Sequence, residues 1–222
     1  MVQASDDDLS IELTPLAAAA PLWRPRPGLG EEMAQVVGVS APGELAVYLS
    51  LRSIEAMFAF AQQYPNLETG GLLVGQACED ARGEYLTVVD AIAAHHAIGT
   101  STSLTFTQEA WNGMLTTAEE LYPDASVVGW YHTHPGLKVF LSGPDQFIHH
   151  SFFRGPRDIA VVLDLQGSEW AVFGWCGEQL RMLQGFWVYA EETPDTLRLP
   201  AVLNHLRGRP ASQAAEGTAP SA

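Results

Sequence analysis

The stretch that most constrains this chain is residues 127–134, where aromatic and β-branched side chains surround His132 and His134. This composition is typical of a β-strand. Because side chains alternate faces along a strand, the two histidines are predicted to point the same way, and their imidazoles could bind one cation. Pro135 has no N–H to donate to a sheet, so we expect the strand to end there.

A helix start follows at Ser142-Gly143-Pro144-Asp145. Ser142 is suited to cap a helix whose first turn contains Pro144 and Asp145. If the intervening loop folds back, the Asp145 carboxylate lies near the end of the histidine strand. Two imidazoles, one carboxylate and a water are the ligands typical of catalytic zinc. Either half of the pattern alone is more often structural, as a chance histidine pair or an ordinary capping box.

Together these residues resemble the signature of the JAMM (MPN-type) metalloproteases, His-[Ser/Thr]-His-Pro-x6-Ser-x-x-Asp, at every specified position. The stretch is most similar to the branch that includes the proteasome-lid deubiquitinase. The resemblance covers about residues 45–190. It implies one Zn²⁺ per chain, bound by His132, His134 and Asp145.

The resemblance also assigns two catalytic residues. Glu68 stands just before a Thr-Gly-Gly sequence at the start of a predicted strand. In this family the catalytic Glu occupies that place, which implies that Glu68 is the general base that takes a proton from the attacking water. The family's motif serine implies that the Ser142 hydroxyl donates to the oxyanion of the intermediate. We expect this task to compete with helix capping.

The other histidines carry no metal assignment. His149 lies one turn after Asp145, where it either orients that carboxylate or is exposed. The rest form no ligand pattern: His95, His96, His150 and His205.

Charge and composition narrow the choice of partners and compartment. The 222 residues include 26 acidic and 11 basic side chains, a formal charge of −15. Such a chain disfavours nucleic acid and anionic membranes and favours a partner with a basic face. Cys78 and Cys176 form no CxxC pattern. With no signal peptide at the N-terminus and no apolar run of about 18 residues, we expect a cytoplasmic protein that does not cross a membrane.

The order of elements predicts an α/β fold in three parts. Residues 1–43 are predicted to be a flexible acidic, Pro- and Ala-rich arm, with Trp23 as a possible anchor. Residues 44–190 form the metalloprotease domain, and 191–222 a mostly disordered tail with a possible short helix at 197–206. We expect six or seven strands, and helices capped by Ser50, Thr107 and Ser142. The resemblance implies the MPN (JAB/cytidine-deaminase-like) fold, a curved mixed sheet flanked by helices.

The function implied by the resemblance is that of a zinc isopeptidase or peptidase, and the Ala- and Arg-rich, lysine-poor composition indicates a bacterial one. It would cleave after the C-terminal Gly-Gly of a ubiquitin-like protein. The expected partners are that ubiquitin-like protein, its conjugates and enzymes of the conjugation pathway. One alternative is a protease that trims a sulfur-carrier protein, and another is a non-catalytic MPN scaffold. We expect loops 76–84 and 136–141 to flank the cleft, and the substrate tail to add a strand near 76–84.

Overall fold

The computed structural model describes residues 20–27 and 34–190. Its first strands are β1 (Leu22–Trp23), β2 (Ala34–Gly38), β3 (Ala46–Ser50), β4 (Gly70–Asp80), β5 (Gly83–Ala93), β6 (Ile98–Gly99) and β7 (Leu104–Thr105). The later strands are β8 (Ser126–Thr133), β9 (Ile159–Asp164), β10 (Glu169–Cys176), β11 (Gln179–Met182) and β12 (Gly185–Tyr189). The helices are α1 (Leu51–Ala61), α2 (Gln108–Leu121) and α3 (Gly143–Phe152).

Ten strands form one mixed sheet in the order β11-β10-β9-β8-β4-β5-β3-β12-β2, and β1 pairs with β4. Strands β8 and β9 are parallel, whereas β4 is antiparallel to both β8 and β5. Register shifts interrupt β4 near Val74 on both sides. The histidine strand β8 is therefore an interior strand, with β4 on one side and β9 on the other.

Helices cover both faces of this sheet. The buried face of α1 joins one hydrophobic cluster through Leu51, Ile54 and Met57. Trp111 and Met114 of α2 join a second cluster, against which side chains of α3 pack. The predicted α/β architecture, a mixed sheet flanked by helices, is confirmed.

The predicted helix caps are present as well. The Ser50 side chain accepts a hydrogen bond from Ser53 N, and the Thr107 side chain accepts one from Ala110 N. Each hydroxyl satisfies an N–H group that has no partner within its helix. These caps depend on neighbours in sequence, which is why the sequence could predict them.

The sheet is larger than the predicted six or seven strands, partly because two strands lie in the range 1–43 assigned to an arm. Strand β1 pairs with Cys78 and Glu79 of β4, and β2 pairs with β12. Proline excludes a long helix from this segment but permits short edge strands. Strand β11 was also not predicted, although its exposed and half-buried residues alternate. The tail 191–222, with its possible helix, lies outside the described residues.

The connection between β4 and β5 is shorter than predicted, and it lies further from the histidines than predicted. Instead of the predicted loop at 76–84, the two strands continue to a turn at 81–82. Gly70, at the other end of β4, pairs with His132. Cys78 is eight residues further along, about 26 Å at the usual rise of a strand. The expectation that 76–84 flanks the cleft and offers a free edge there is therefore wrong, and β1 occupies the edge at Cys78 and Glu79.

None of the helices in the described parts of the chain is both long enough and apolar enough to span a membrane.

Candidate metal centre

Strand β8 and the residue that follows it hold the two histidines on one face of the sheet. His132 pairs with Gly70 of β4 and Val162 of β9, and the His134 N–H continues the ladder by donating to Leu163 O at 2.8 Å. Both imidazoles are buried. Their Nε2 atoms lie 3.0 Å apart, as the same-face argument predicted.

The start of α3 brings the carboxylate to these imidazoles. Asp145 Oδ2 lies 3.4 Å from His132 Nε2 and 3.6 Å from His134 Nε2. The same Oδ2 accepts the Ser142 N–H at 2.7 Å, while the Asp145 N–H donates to Ser142 Oγ at 3.3 Å. The predicted capping box is thus formed, and its acidic half also faces the histidines.

The spacing of the three donor atoms fits zinc. Ligand atoms about 2.0–2.1 Å from a tetrahedral ion lie about 3.3 Å from one another. The separations here are 3.0, 3.4 and 3.6 Å. Two nitrogens and one carboxylate oxygen are also the donor types that catalytic zinc takes. Among the described residues, His132, His134 and Asp145 are the only group that could hold a metal ion in this way.

The electrostatics of the cluster also favour a cation. Burial disfavours the Asp145 carboxylate, but hydrogen bonds from His132 and His134 outweigh it and hold the pKa of Asp145 well below its usual value. Burial lowers the pKa of His132. Burial would also lower the pKa of His134, but Asp145 and the Lys138 carbonyl outweigh it and raise that pKa. The pocket thus keeps a negative oxygen beside two nitrogen donors.

Contacts behind the histidines fix their orientation. His134 Nδ1 lies 3.0 Å from Lys138 O. Because a carbonyl only accepts, Nδ1 carries the proton and Nε2 is free to bind a metal. The Trp130 ring stacks on His132 with the ring centroids 4.6 Å apart.

His149 supports Trp130 rather than facing solvent. Its Nδ1 accepts a hydrogen bond of 3.2 Å from Trp130 Nε1, and its ring is fully buried. Burial lowers the pKa of His149 to about 3, so the imidazole is neutral near pH 7. Of the two alternatives predicted for His149, exposure is wrong, and its hydrogen bond is with Trp130 rather than with Asp145. Sequence spacing from Asp145 could not reveal a contact with a residue 19 positions away.

Glu68 lies beside the cluster, two residues before β4. Its side chain is buried, and burial raises its pKa to about 7, with His134 lowering and Asp145 further raising that value. The Glu68 N–H donates to Thr100 O at 2.7 Å. Gly99 packs so closely that a Cβ there would lie 2.0 Å from Glu68 O, which only glycine avoids. The β6–β7 hairpin therefore clamps the backbone of Glu68.

Thr133, between the two histidines, holds the same backbone from the other side. Its Oγ1 accepts the Thr69 N–H at 2.9 Å and lies 3.4 Å from Leu67 O. Its own N–H donates to Thr69 O at 2.8 Å. Hydrogen bonds from Thr133 therefore hold the residues on both sides of Glu68 against β8.

If Glu68 is the general base that the resemblance implies, Thr133→Val should keep zinc and lower turnover. Valine has nearly the same shape, but it leaves the Thr69 N–H unpaired, which costs about 1–3 kcal/mol of stability. A displacement of Glu68 by about 1 Å can lower turnover about 10²-fold. Turnover and zinc content measured on the same preparation test this expectation.

Two control variants show whether the effect on turnover comes from the hydroxyl of Thr133. Thr133→Ser should restore turnover, because it keeps the acceptor. Thr87→Val removes another buried hydroxyl, which donates to Gln76 O on the far part of β4, and should lower stability alone. Undiminished turnover in Thr133→Val would contradict the role.

Ser142 can serve both tasks that we expected to compete. Capping uses the hydroxyl oxygen as an acceptor from the Asp145 N–H. The O–H proton of the same group is left to donate. A cap and an oxyanion donor are therefore compatible in one residue.

Comparison with known proteins assigns the chain to a family. The family model described as JAB1/Mov34/MPN/PAD-1 ubiquitin protease matches residues 43–155. The chain belongs to this family, and the MPN fold predicted from the sequence is confirmed.

Curated relatives of this chain include proteins named as a proteasome regulatory subunit and as a ubiquitin hydrolase. "26S proteasome non-ATPase regulatory subunit 14" of Dictyostelium discoideum is 31% identical over 142 residues, which are 63% of this chain and 44% of that protein. "Ubiquitin carboxyl-terminal hydrolase RPN11" of Saccharomyces cerevisiae is 31% identical over 120 residues, which are 53% of this chain and 38% of that protein. The chain thus spans less than half the length of these relatives.

Among solved structures, the solution structure of a Desulfitobacterium hafniense protein aligns with a TM-score of 0.48 and 16% sequence identity. The alignment covers 68% of this chain and 97% of that one.

Proposed function

We propose that this protein is a zinc-dependent isopeptidase or peptidase that cleaves after the C-terminal Gly-Gly of a ubiquitin-like protein. The observation that carries the proposal is the convergence of His132, His134 and Asp145, with buried Glu68 beside them. Membership in a family described as ubiquitin proteases supports the class of substrate.

Each site residue has a distinct task in this proposal. Zinc held by His132, His134 and Asp145 would act as a Lewis acid toward water and the scissile carbonyl. Glu68 takes the proton of the attacking water and passes it to the leaving amine. Without a metal its pKa is about 7, and a bound cation nearby would lower that pKa and favour the carboxylate that accepts the proton. The Ser142 O–H donates to the carbonyl oxygen as negative charge develops there.

Exposed apolar side chains occur in the segments that carry the site residues. Five of them lie within two residues of a site residue in sequence, in the loop after His134 or in the hairpin that clamps Glu68: Leu67, Ile98, Leu137, Phe140 and Phe147. The Phe140 ring centroid is 4.7 Å from that of His134. We propose that these side chains border a narrow cleft beside the metal, in which a Gly-Gly tail would fit because it has no Cβ at the scissile bond.

Cleavage of matched fusions tests the proposal. A ubiquitin-like protein ending in Gly-Gly is joined to a reporter, once through a linear peptide bond and once through a lysine side chain. In a second pair, the penultimate Gly is changed to Val. We expect cleavage after the last Gly and a rate about 10²-fold lower with Val, because the added side chain displaces the scissile carbonyl.

The outcomes separate the alternatives. Equal cleavage of the Gly and Val fusions would contradict the narrow cleft and indicate a general peptidase. Release from the linear fusion alone would indicate precursor trimming, as for a sulfur carrier. A zinc-loaded protein that cleaves neither fusion would overturn the proposal and leave a scaffold role.

A further inference from the structure

Asp164, the last residue of β9, is a buried carboxylate held by backbone groups. Its side chain is 2% exposed. It accepts hydrogen bonds from Gly136 N at 2.9 Å, Lys138 N at 3.0 Å and Gly167 N at 2.9 Å. Hydrogen bonds to a charged acceptor are stronger than those between neutral groups, so this carboxylate organises the backbone around it.

Two of its three donors belong to the loop that follows His134 and Pro135. Gly136 and Lys138 adopt left-handed conformations, with φ of 74° and 71°. For lysine this conformation is unfavourable and persists only where the surroundings impose it. Asp164 supplies that constraint, because it binds the N–H groups of both residues.

The constrained peptide reaches a metal ligand directly. The Lys138 carbonyl is the group that accepts the His134 Nδ1–H, at 3.0 Å. A continuous path therefore runs from the Asp164 carboxylate through the Lys138 backbone to the His134 ring, and ends at the Nε2 that faces Asp145. Groups that orient a ligating histidine in this way also tune its metal affinity.

We propose that Asp164 is a positioning residue for the metal site, and that it raises zinc affinity by fixing the loop carbonyl that orients His134. The inference rests on the zinc site of the proposed function. It adds a residue 30 positions from His134 whose carboxylate binds loop backbone rather than a metal ligand.

Zinc affinity of the full-length protein, measured by competition with a chelator, tests the inference. Asp164→Asn exchanges one carboxylate oxygen for an NH₂ group, so at least one N–H loses its acceptor. We expect zinc to bind about 10- to 100-fold more weakly. Asp158→Asn is the matched control, because Asp158 is an equally buried carboxylate just before the other end of β9 and accepts from Gly155 N. Its zinc affinity should equal that of the parent.

A second variant covers the case in which Asp164→Asn does not fold. Lys138→Pro, in an exposed loop, removes the N–H that binds Asp164 and cannot adopt a positive φ. We expect the same loss of zinc affinity. Parent-like affinity in either folded variant, or equal weakening in Asp158→Asn, would overturn the role of Asp164. A parent protein that binds no zinc would instead contradict the proposed metal site itself.

Discussion

Glu68→Gln should lower turnover about 10²- to 10⁴-fold while zinc stays near one ion per chain. Glutamine keeps the size and most contacts of the side chain but cannot accept a proton from water. Glu68 is not among the three residues whose donor atoms converge on the metal position, so its loss should leave zinc binding intact. Kinetics on the Gly-Gly fusion and elemental analysis of the same sample measure the two quantities.

Glu109→Gln is a suitable control for this experiment, since it neutralises an exposed glutamate in the first turn of α2. It should match the parent in both measurements. Undiminished turnover in Glu68→Gln would rule out a general base at this position. Loss of zinc would instead make Glu68 a ligand.

His132→Ala should abolish stable zinc binding and, with it, turnover. The substitution removes one of three donors and leaves the Trp130 ring without the imidazole on which it stacks. Elemental analysis after dialysis should give near-stoichiometric zinc for the parent and almost none for the variant.

A histidine outside the cluster provides the comparison. His96 lies in a turn with a 60% exposed side chain, and His96→Ala should retain the zinc of the parent. Circular dichroism establishes that both variants are folded. If folded His132→Ala keeps as much zinc as the parent, the metal assignment is wrong.

The sequence could predict those parts of the site that depend on local rules. Alternation along one strand placed His132 and His134 on the same side, and a capping box placed Asp145 at the start of a helix. The position of Glu68 came from resemblance, because its proximity to the histidines depends on the pairing of β4 with β8. The catalytic roles of Glu68 and Ser142 stay predictions.

The features that sequence analysis missed depend on contacts between distant residues. Thr133 Oγ1 binds Thr69 N across 64 positions, and Asp164 binds Gly136 N across 28. Strand β1 joins β4 at Cys78 although 56 residues separate Leu22 from it. No local pattern reports such pairings. The serine-or-threonine position between the two motif histidines was the one signal that could have pointed to Thr133.

The double use of Asp145 Oδ2 has an evolutionary consequence. This atom caps α3 at the Ser142 N–H and also faces the histidines. A descendant that no longer used a metal would still gain about 1 kcal/mol from the cap. Losing both histidines, however, would leave the Asp145 carboxylate buried without the imidazoles that stabilise its charge. Selection for folding alone would therefore retain Ser142 but not Asp145 once the histidines are gone. An MPN chain that keeps the serine and lacks the aspartate and both histidines is expected to be a folded descendant of an enzyme that has lost its chemistry.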